Sequence, residues 1–213
     1  MKTPSRTALR GLYLLTPDEA DTVRLLERVG SALLPGVALV QYRNKTADAA
    51  LRRRQAAALL LLCRERRVPL VINDDWRLAA ELGADGAHLG ESDGALCEAR
   101  TAMGPNAILG ASCYDQAERA GQALDAGASY LAFGAVFASS TKPLARRAPL
   151  ELLAHARSLG LPTVAIGGIS PDNARIALAA GADMLAVLGA VFASDDPAAQ
   201  VRAFLSCFET DMP

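Results

Sequence analysis

Short apolar runs alternate with longer stretches of helical periodicity along almost the whole chain. The runs lie at 11–16 (GLYLLT), 38–43 (ALVQYR), 69–74 (PLVIND), 86–90 (GAHLG), 107–113 (AILGASC), 130–136 (YLAFGAV), 163–168 (TVAIGG) and 183–190 (DMLAVLGA). Helical patterns fall near 18–34, 46–66, 76–82, 94–103, 115–126, 149–158, 171–179 and 197–208. The runs are apolar throughout instead of alternating, as expected of strands covered on both faces. Strand–helix units in regular alternation predict a parallel sheet, and eight of them suffice to close a barrel. The expected fold is α/β, a single (β/α)8 TIM barrel over residues 1–213, with short tails at 1–10 and 209–213. A doubly wound open sheet is the alternative. It would carry a G-x-G-x-x-G turn after its first strand, where this chain has Thr16-Pro17-Asp18.

A weak internal repeat supports the barrel. Gly83-Ala84-Asp85, Gly127-Ala128-Ser129 and Gly181-Ala182-Asp183 each end a helix and lead into a strand, which then closes on Gly90, Gly134 or Gly189. Glycine just past a helix end supplies the left-handed turn that such a connection needs.

Composition narrows the functional classes. A formal charge of −1 with acids and bases mixed throughout argues against nucleic-acid or membrane-surface binding, since both rely on a positive footprint. The longest apolar run, Ala56 to Cys63, is too short to span a membrane, and Leu12 to Leu15 is too short for a signal peptide. Cys63, Cys97, Cys113 and Cys207 are scattered, which suits reduced thiols in a cytoplasm better than a disulfide framework or zinc site. His88 and His155 are the only histidines, too few for a poly-histidine metal site.

Barrel enzymes build their sites from the C-terminal ends of the strands. The second run ends in Gln41-Tyr42-Arg43-Asn44-Lys45, whose alternate residues Gln41, Arg43 and Lys45 would project to one side of an extended strand. Either an anion meets these cations or they exit to solvent. Asp74 closes the third run and Asp93 follows the fourth. Carboxylates on neighbouring loops suit a hard cation such as Mg2+, although Asp93 would equally cap the helix that starts near Gly94. Ser112 ends the fifth run as a hydroxyl ligand or an ordinary strand-end serine. The sixth leads into Ser139-Ser140-Thr141-Lys142, either a phosphate-binding or a solvated loop. Gly167-Gly168 and Leu188-Gly189, after the seventh and eighth runs, would let backbone N–H groups approach a phosphate. The arginines at 52–54, 64, 66 and 67 read as the wet face of the second helix, Trp76 as an anchor for the third, and His88 as a satisfied core histidine.

Six elements, in this order, resemble the thiamine phosphate synthase family: Gln41-x-Arg43-x-Lys45, Ile72-Asn73-Asp74, His88-Leu89-Gly90-x-x-Asp93, Gly110-Ala111-Ser112, Ser140-Thr141-Lys142 and Ile166-Gly167-Gly168-Ile169. The resemblance runs from about Gly11 to Phe204. It implies a transferase that joins an aminopyrimidine diphosphate to a thiazole phosphate, or its carboxylated form, with loss of pyrophosphate. In that family pattern Gln41, Arg43, Lys45, Asn73, Ser112 and Lys142 would hold the pyrimidine diphosphate. Arg43, Lys45, Ser112 and Lys142 would serve catalysis, and Asp74 and Asp93 would bind Mg2+. Ser139, Ser140, Thr141, Gly168, Leu188 and Gly189 would hold the thiazole phosphate. Glu91 stands where glutamine is usual, Ala135 and Ala138 replace prolines, and Gly189 stands where serine is common. The implied partners are small molecules alone, and the oligomeric state, a homo-oligomer included, is open. A thiazole tautomerase of the same family and a non-catalytic phosphate-binding regulator are the competing readings. Neither has a use for the whole diphosphate set.

Overall fold

The structure is a computed structural model that describes residues 9–92, 94–138 and 146–209. Its eight strands are β1 (Gly11–Leu15), β2 (Val37–Tyr42), β3 (Leu70–Asn73), β4 (Gly86–Leu89), β5 (Ile108–Tyr114), β6 (Tyr130–Phe133), β7 (Thr163–Ile166) and β8 (Met184–Val187). All neighbours pair in parallel, and β1 also pairs with β8 to close the barrel in sequence order. The expected TIM barrel is therefore present.

Helices α1 (Thr22–Ala32), α2 (Ala49–Arg66), α3 (Trp76–Leu82), α4 (Leu96–Met103), α5 (Ala117–Asp125), α6 (Glu151–Ser158), α7 (Pro171–Ala179), α8 (Gly189–Phe192) and α9 (Pro197–Leu205) accompany the strands. In α2 the Asp48 carboxylate accepts from Leu51 N at 2.7 Å, and the buried face runs through Gln55, Ala56, Leu59, Leu60 and Cys63, the spacing of one helical stripe. The alternation of strand side chains divides the core in two. Leu12 and Leu14 join the shell between sheet and helices, whereas Tyr13 and Leu15 join Leu39, Val71, Tyr130, Val164 and Met184 inside the barrel. Leu9, assigned by sequence to the tail, is buried in that inner cluster.

The tripeptide repeat has a structural basis at the N-terminal rim. Gly83, Gly127 and Gly181 all have positive φ. Asp85 then accepts from Leu70 N at 2.8 Å and donates its own N–H to Leu70 O at 3.0 Å. Ser129 makes the same two-way lock with Leu109 (3.0 and 2.6 Å), and Asp183 makes it with Thr163 (2.9 and 2.8 Å). Each lock ties an even-numbered strand to the odd-numbered one before it.

Most boundaries shift by one to three residues from the sequence expectation, and three of the shifts have a clear local cause. The first helix begins at Thr22, because the Asp21 carboxylate accepts from Val23 N and Arg24 N and leaves residues 18–21 as a loop. The sixth strand ends at Phe133, where Gly134 passes so close to β7 that a Cβ would sit 2.3 Å from Ile166 O. The eighth ends at Val187. Leu188 turns the chain, and Phe192 N donates to Leu188 O at 2.8 Å, so Gly189 opens a short helix instead of closing a strand. Among the described residues no helix is long and apolar enough to cross a membrane. All four cysteines are free and only Cys97 is exposed. Burial pushes the thiols of Cys63 and Cys113 up to about 12, consistent with inert core positions.

Candidate active site

The segment after β2 is held by side chains that reach it from two neighbours. Thr16, fully buried after β1, accepts from Arg43 N at 2.9 Å and donates to Arg43 O at 2.8 Å. Asp18 accepts from Lys45 N at 2.7 Å and pairs with the Arg43 guanidinium at 3.2 Å. Asn44 turns inward, where its Nδ2 donates to Glu19 O and to Gln55 Oε1, while Tyr42 donates to the same Gln55 oxygen. Its Oδ1 caps the turn by accepting from Thr46 and Ala47 N. With Asn44 and Gln55 buried and satisfied, Arg43 is presented at the rim on a braced loop.

A cavity of about 540 Å3 opens at this point, between the C-terminal ends of β2 and β3. Arg43, Lys45, Arg52 and Arg77 are four cationic residues of its lining, together with Asn73, Asp74 and Asp75. Sequence reasoning missed two of the cations. Arg52 is on the exposed part of α2 as expected, but its position one turn into the helix brings it over the cavity. Arg77, also in the lining, lies with its guanidinium 4.3 Å from the centroid of the Trp76 ring. Asp75 caps α3 by accepting from Leu78 N at 2.9 Å.

Asp74 has φ of +64°, in the left-handed region that few non-glycine residues enter. Its N–H donates to His88 O at 2.9 Å, so the β3–β4 ladder continues to the residue where the chain turns. A strained residue at a strand end is a common mark of a functional position. Asp93, the second expected metal ligand, lies outside the described residues. Its chain neighbours Ser92 and Gly94 line the same cavity. Glu91, the departure from the family pattern, pairs with Arg119 at 2.9 Å, and Arg119 also stands over the Tyr114 ring at 5.2 Å.

Gln41 and Ser112 are not in this cavity lining. β2 ends at Tyr42, so Arg43 and Lys45 lie past the strand on the rim loop, while alternation carries Gln41 into the barrel after Leu39, where it is 3% exposed. It donates there to the Tyr13 hydroxyl. That oxygen is 2.7 Å from the Tyr130 hydroxyl, which is 2.9 Å from His88 Nδ1, and His88 Nε2 is 2.9 Å from Ser112 Oγ. His88 is thus a satisfied core histidine, and it also links to an expected ligand residue. Tyr13 and Tyr130, which join Gln41 to His88, are read in sequence as plain strand residues.

On the other side of the mouth, Gly167 and Gly168 have φ of +98° and +67°. A Cβ on Gly168 would lie 2.2 Å from Ala138 O, so the glycines serve close packing of the β6 loop as well as any approach to phosphate. Asn173 Nδ2 donates to Gly168 O at 3.0 Å, which fixes this turn at the start of α7. Leu188 and Gly189 stand at the end of β8 and the first turn of α8. Ser139, Ser140, Thr141 and Lys142 lie outside the described residues.

A closed parallel barrel with cations, a strained carboxylate and a glycine turn gathered at its C-terminal mouth defines a (β/α)8 enzyme of the phosphate-handling kind. The sequence pattern of the thiamine monophosphate synthase family matches residues 12–191. The chain is 52% identical over 205 residues to the thiamine-phosphate synthase of Xanthomonas campestris pv. campestris strain 8004, covering 96% of this chain and 99% of that one. It is 49% identical over 208 residues to that of Xylella fastidiosa strain 9a5c, covering 98% and 88%. The solved thiamine phosphate pyrophosphorylase from Pyrococcus furiosus superposes with a TM-score of 0.83 at 35% identity, covering 96% and 97% of the two chains. The chain belongs to the thiamine monophosphate synthase family. Membership makes it an enzyme, a transferase that forms thiamine phosphate.

Proposed function

We propose that the enzyme condenses an aminopyrimidine diphosphate with a thiazole phosphate at this mouth, through dissociation of the diphosphate. The observation that carries this reading is the convergence of Arg43, Lys45, Arg52 and Arg77 on one cavity beside Asn73 and Asp74. The carbon–oxygen bond to the diphosphate breaks with its electron pair leaving on oxygen, and the thiazole nitrogen lone pair then forms the carbon–nitrogen bond. No protein nucleophile or strong base is required. Stabilisation of the departing negative charge is required, and cations placed in advance supply it. Arg43 and Lys45 are the members of the cluster with that task, Arg43 being braced by Asp18. Lys142 would join them from the β6 loop, and Gln41, Asn73 and Ser112 would hold the pyrimidine.

The donor set also fits Mg2+. Asp74 is a hard oxygen donor in the cavity lining, at a left-handed turn, and Mg2+ is bound by one or two carboxylates together with phosphate oxygens. Asp74 and Asp93 would hold the ion, which would supply charge neutralisation on the diphosphate when bound. Ser139, Ser140, Thr141, Gly168, Leu188 and Gly189 would take the thiazole phosphate on the opposite side. Holding both substrates in one mouth adds the advantage of proximity. We read the protein as cytoplasmic and acting as one barrel domain on small molecules alone. The test is to supply both substrates with and without Mg2+ and to measure pyrophosphate and thiamine phosphate. Equal amounts, dependent on Mg2+, are expected. Interconversion of thiazole tautomers without pyrophosphate would overturn the reading.

A further inference from the structure

The hydrogen-bond chain inside the barrel has a direction that follows from proton counting. An amide nitrogen only donates, so Gln41 Nε2 gives a hydrogen to the Tyr13 oxygen. Tyr13 then directs its single proton to its other partner, the Tyr130 oxygen at 2.7 Å. Tyr130, accepting from Tyr13, directs its own proton to His88 Nδ1 at 2.9 Å. Nδ1 must carry a lone pair to accept it, which puts the imidazole proton on Nε2 and aims it at Ser112 Oγ, 2.9 Å away. Ser112 accepts, and its own proton is left to be donated elsewhere.

Other observations show that the chain is built into the core. Tyr13 and Tyr130 are 1% and 0% exposed, and their rings meet edge to face at 5.8 Å. The His88 and Tyr130 rings stack at 5.6 Å. Burial raises the pKa of both phenols well above the ordinary value, so each keeps its one proton. Gly110 makes room for the central link, since a Cβ there would lie 2.2 Å from the Tyr130 oxygen and 2.5 Å from His88 Nδ1. Ser112, at the far end, is half-buried at the top of β5.

We propose that Gln41, Tyr13, Tyr130 and His88 form a one-way relay that fixes Ser112 as a hydrogen-bond donor toward an acceptor atom of the pyrimidine substrate, a ring nitrogen or a phosphate oxygen. Tyr13, Tyr130 and His88 are positioning residues in this scheme and take no part in bond making. The proposal rests on the assignment of Ser112 to the pyrimidine side of the site. It adds a tautomer, a direction and a specificity: the site demands an acceptor opposite Ser112.

The test is 15N nuclear magnetic resonance of the full-length protein labelled at histidine, with the two histidines distinguished by loss of one signal in His88→Gln. His88 is expected with Nε2 protonated and Nδ1 bare at neutral pH. Protonated Nδ1 with bare Nε2 would reverse the relay and overturn the proposal. Steady-state kinetics give the second readout. Tyr130→Phe should raise KM for the pyrimidine diphosphate roughly three- to tenfold, the range of one neutral hydrogen bond, and leave KM for the thiazole phosphate unchanged. Equal increases in both would mark a purely structural role and reject the relay. Tyr13→Phe is the second variant, expected to act in the same sense. The resonance result needs no substrate, so it stands or falls apart from the synthase reading, which wild-type pyrophosphate release tests.

Discussion

Asp74 allows charge and backbone to be separated. Because its φ is +64°, replacement by an ordinary residue changes two things at once. Asn tolerates the left-handed region about as well as Asp, so Asp74→Asn removes the negative charge and leaves the turn. Its melting temperature should stay within roughly 2 °C of wild type. Asp74→Val adds a β-branched side chain to the same backbone, which costs roughly 1–2 kcal/mol, or about 2–8 °C for a chain of this size. Activity should rank differently. Loss of a carboxylate that holds Mg2+ removes several kcal/mol of charge stabilisation, and at about 1.4 kcal/mol per decade both variants should lose roughly 10²- to 10³-fold in kcat/KM. The assay is pyrophosphate release over a Mg2+ titration, run beside thermal melts of the same preparations. A stable Asp74→Asn that turns over within threefold of wild type at low Mg2+ would refute the reasoning.

Further outcomes follow from other parts of the structure. Arg52→Ala should raise KM for the pyrimidine diphosphate about fivefold, the effect of roughly 1 kcal/mol of charge interaction at a wet rim, while the adjacent Arg53→Ala, whose partner is Glu81, should not; equal behaviour in steady-state kinetics would remove Arg52 from the site. Asp85→Ala and Asp183→Ala should each lower stability by about 1–3 kcal/mol, read as a shift in the urea midpoint, with both KM values unchanged. The Arg24 guanidinium and the Asp21 N–H hold the Glu19 carboxyl at about 2 instead of 4.5. Its stabilising effect is therefore complete above pH 4.5 and is lost as the pH falls toward 2, so Glu19→Gln should flatten the stability profile in that window, and an unchanged acid limb would contradict the assignment.

The architecture was legible because its signals are local. Apolar runs of strand length, helical stripes such as Gln55–Leu59–Cys63 and the Gly-Ala-Asp turns each declare themselves within a few residues. The short helix α8 was not legible, since Ala-Val-Leu-Gly-Ala-Val-Phe is apolar at every position and carries neither period. At the site, Arg43, Lys45, Asn73 and Asp74 were legible as polar residues at the ends of apolar strands, and they do line one cavity. Asp18 was hidden because it reads as a helix start, and Arg52 because an arginine on an exposed helix looks like any other. The Tyr13–Tyr130 contact joins residues 117 positions apart, and only barrel closure brings them together.

The reciprocal locks at the N-terminal rim have a consequence for how the barrel has been free to change. Of the four pairs made by an odd-numbered strand and the even-numbered strand after it, three carry a lock in the residue just before the second strand: Asp85, Ser129 and Asp183. At β1–β2 that position is Gly36, which offers Leu12 only a carbonyl, and the register shifts between Leu12 and Tyr13. The barrel is thus a ring of four two-stranded modules, three of them latched internally and one plain. Its substrate loops hang from the opposite rim. A loop at the mouth can be lengthened, shortened or recoded without loosening any latch, so new specificities can be explored at one end of the molecule while the other keeps the ring shut.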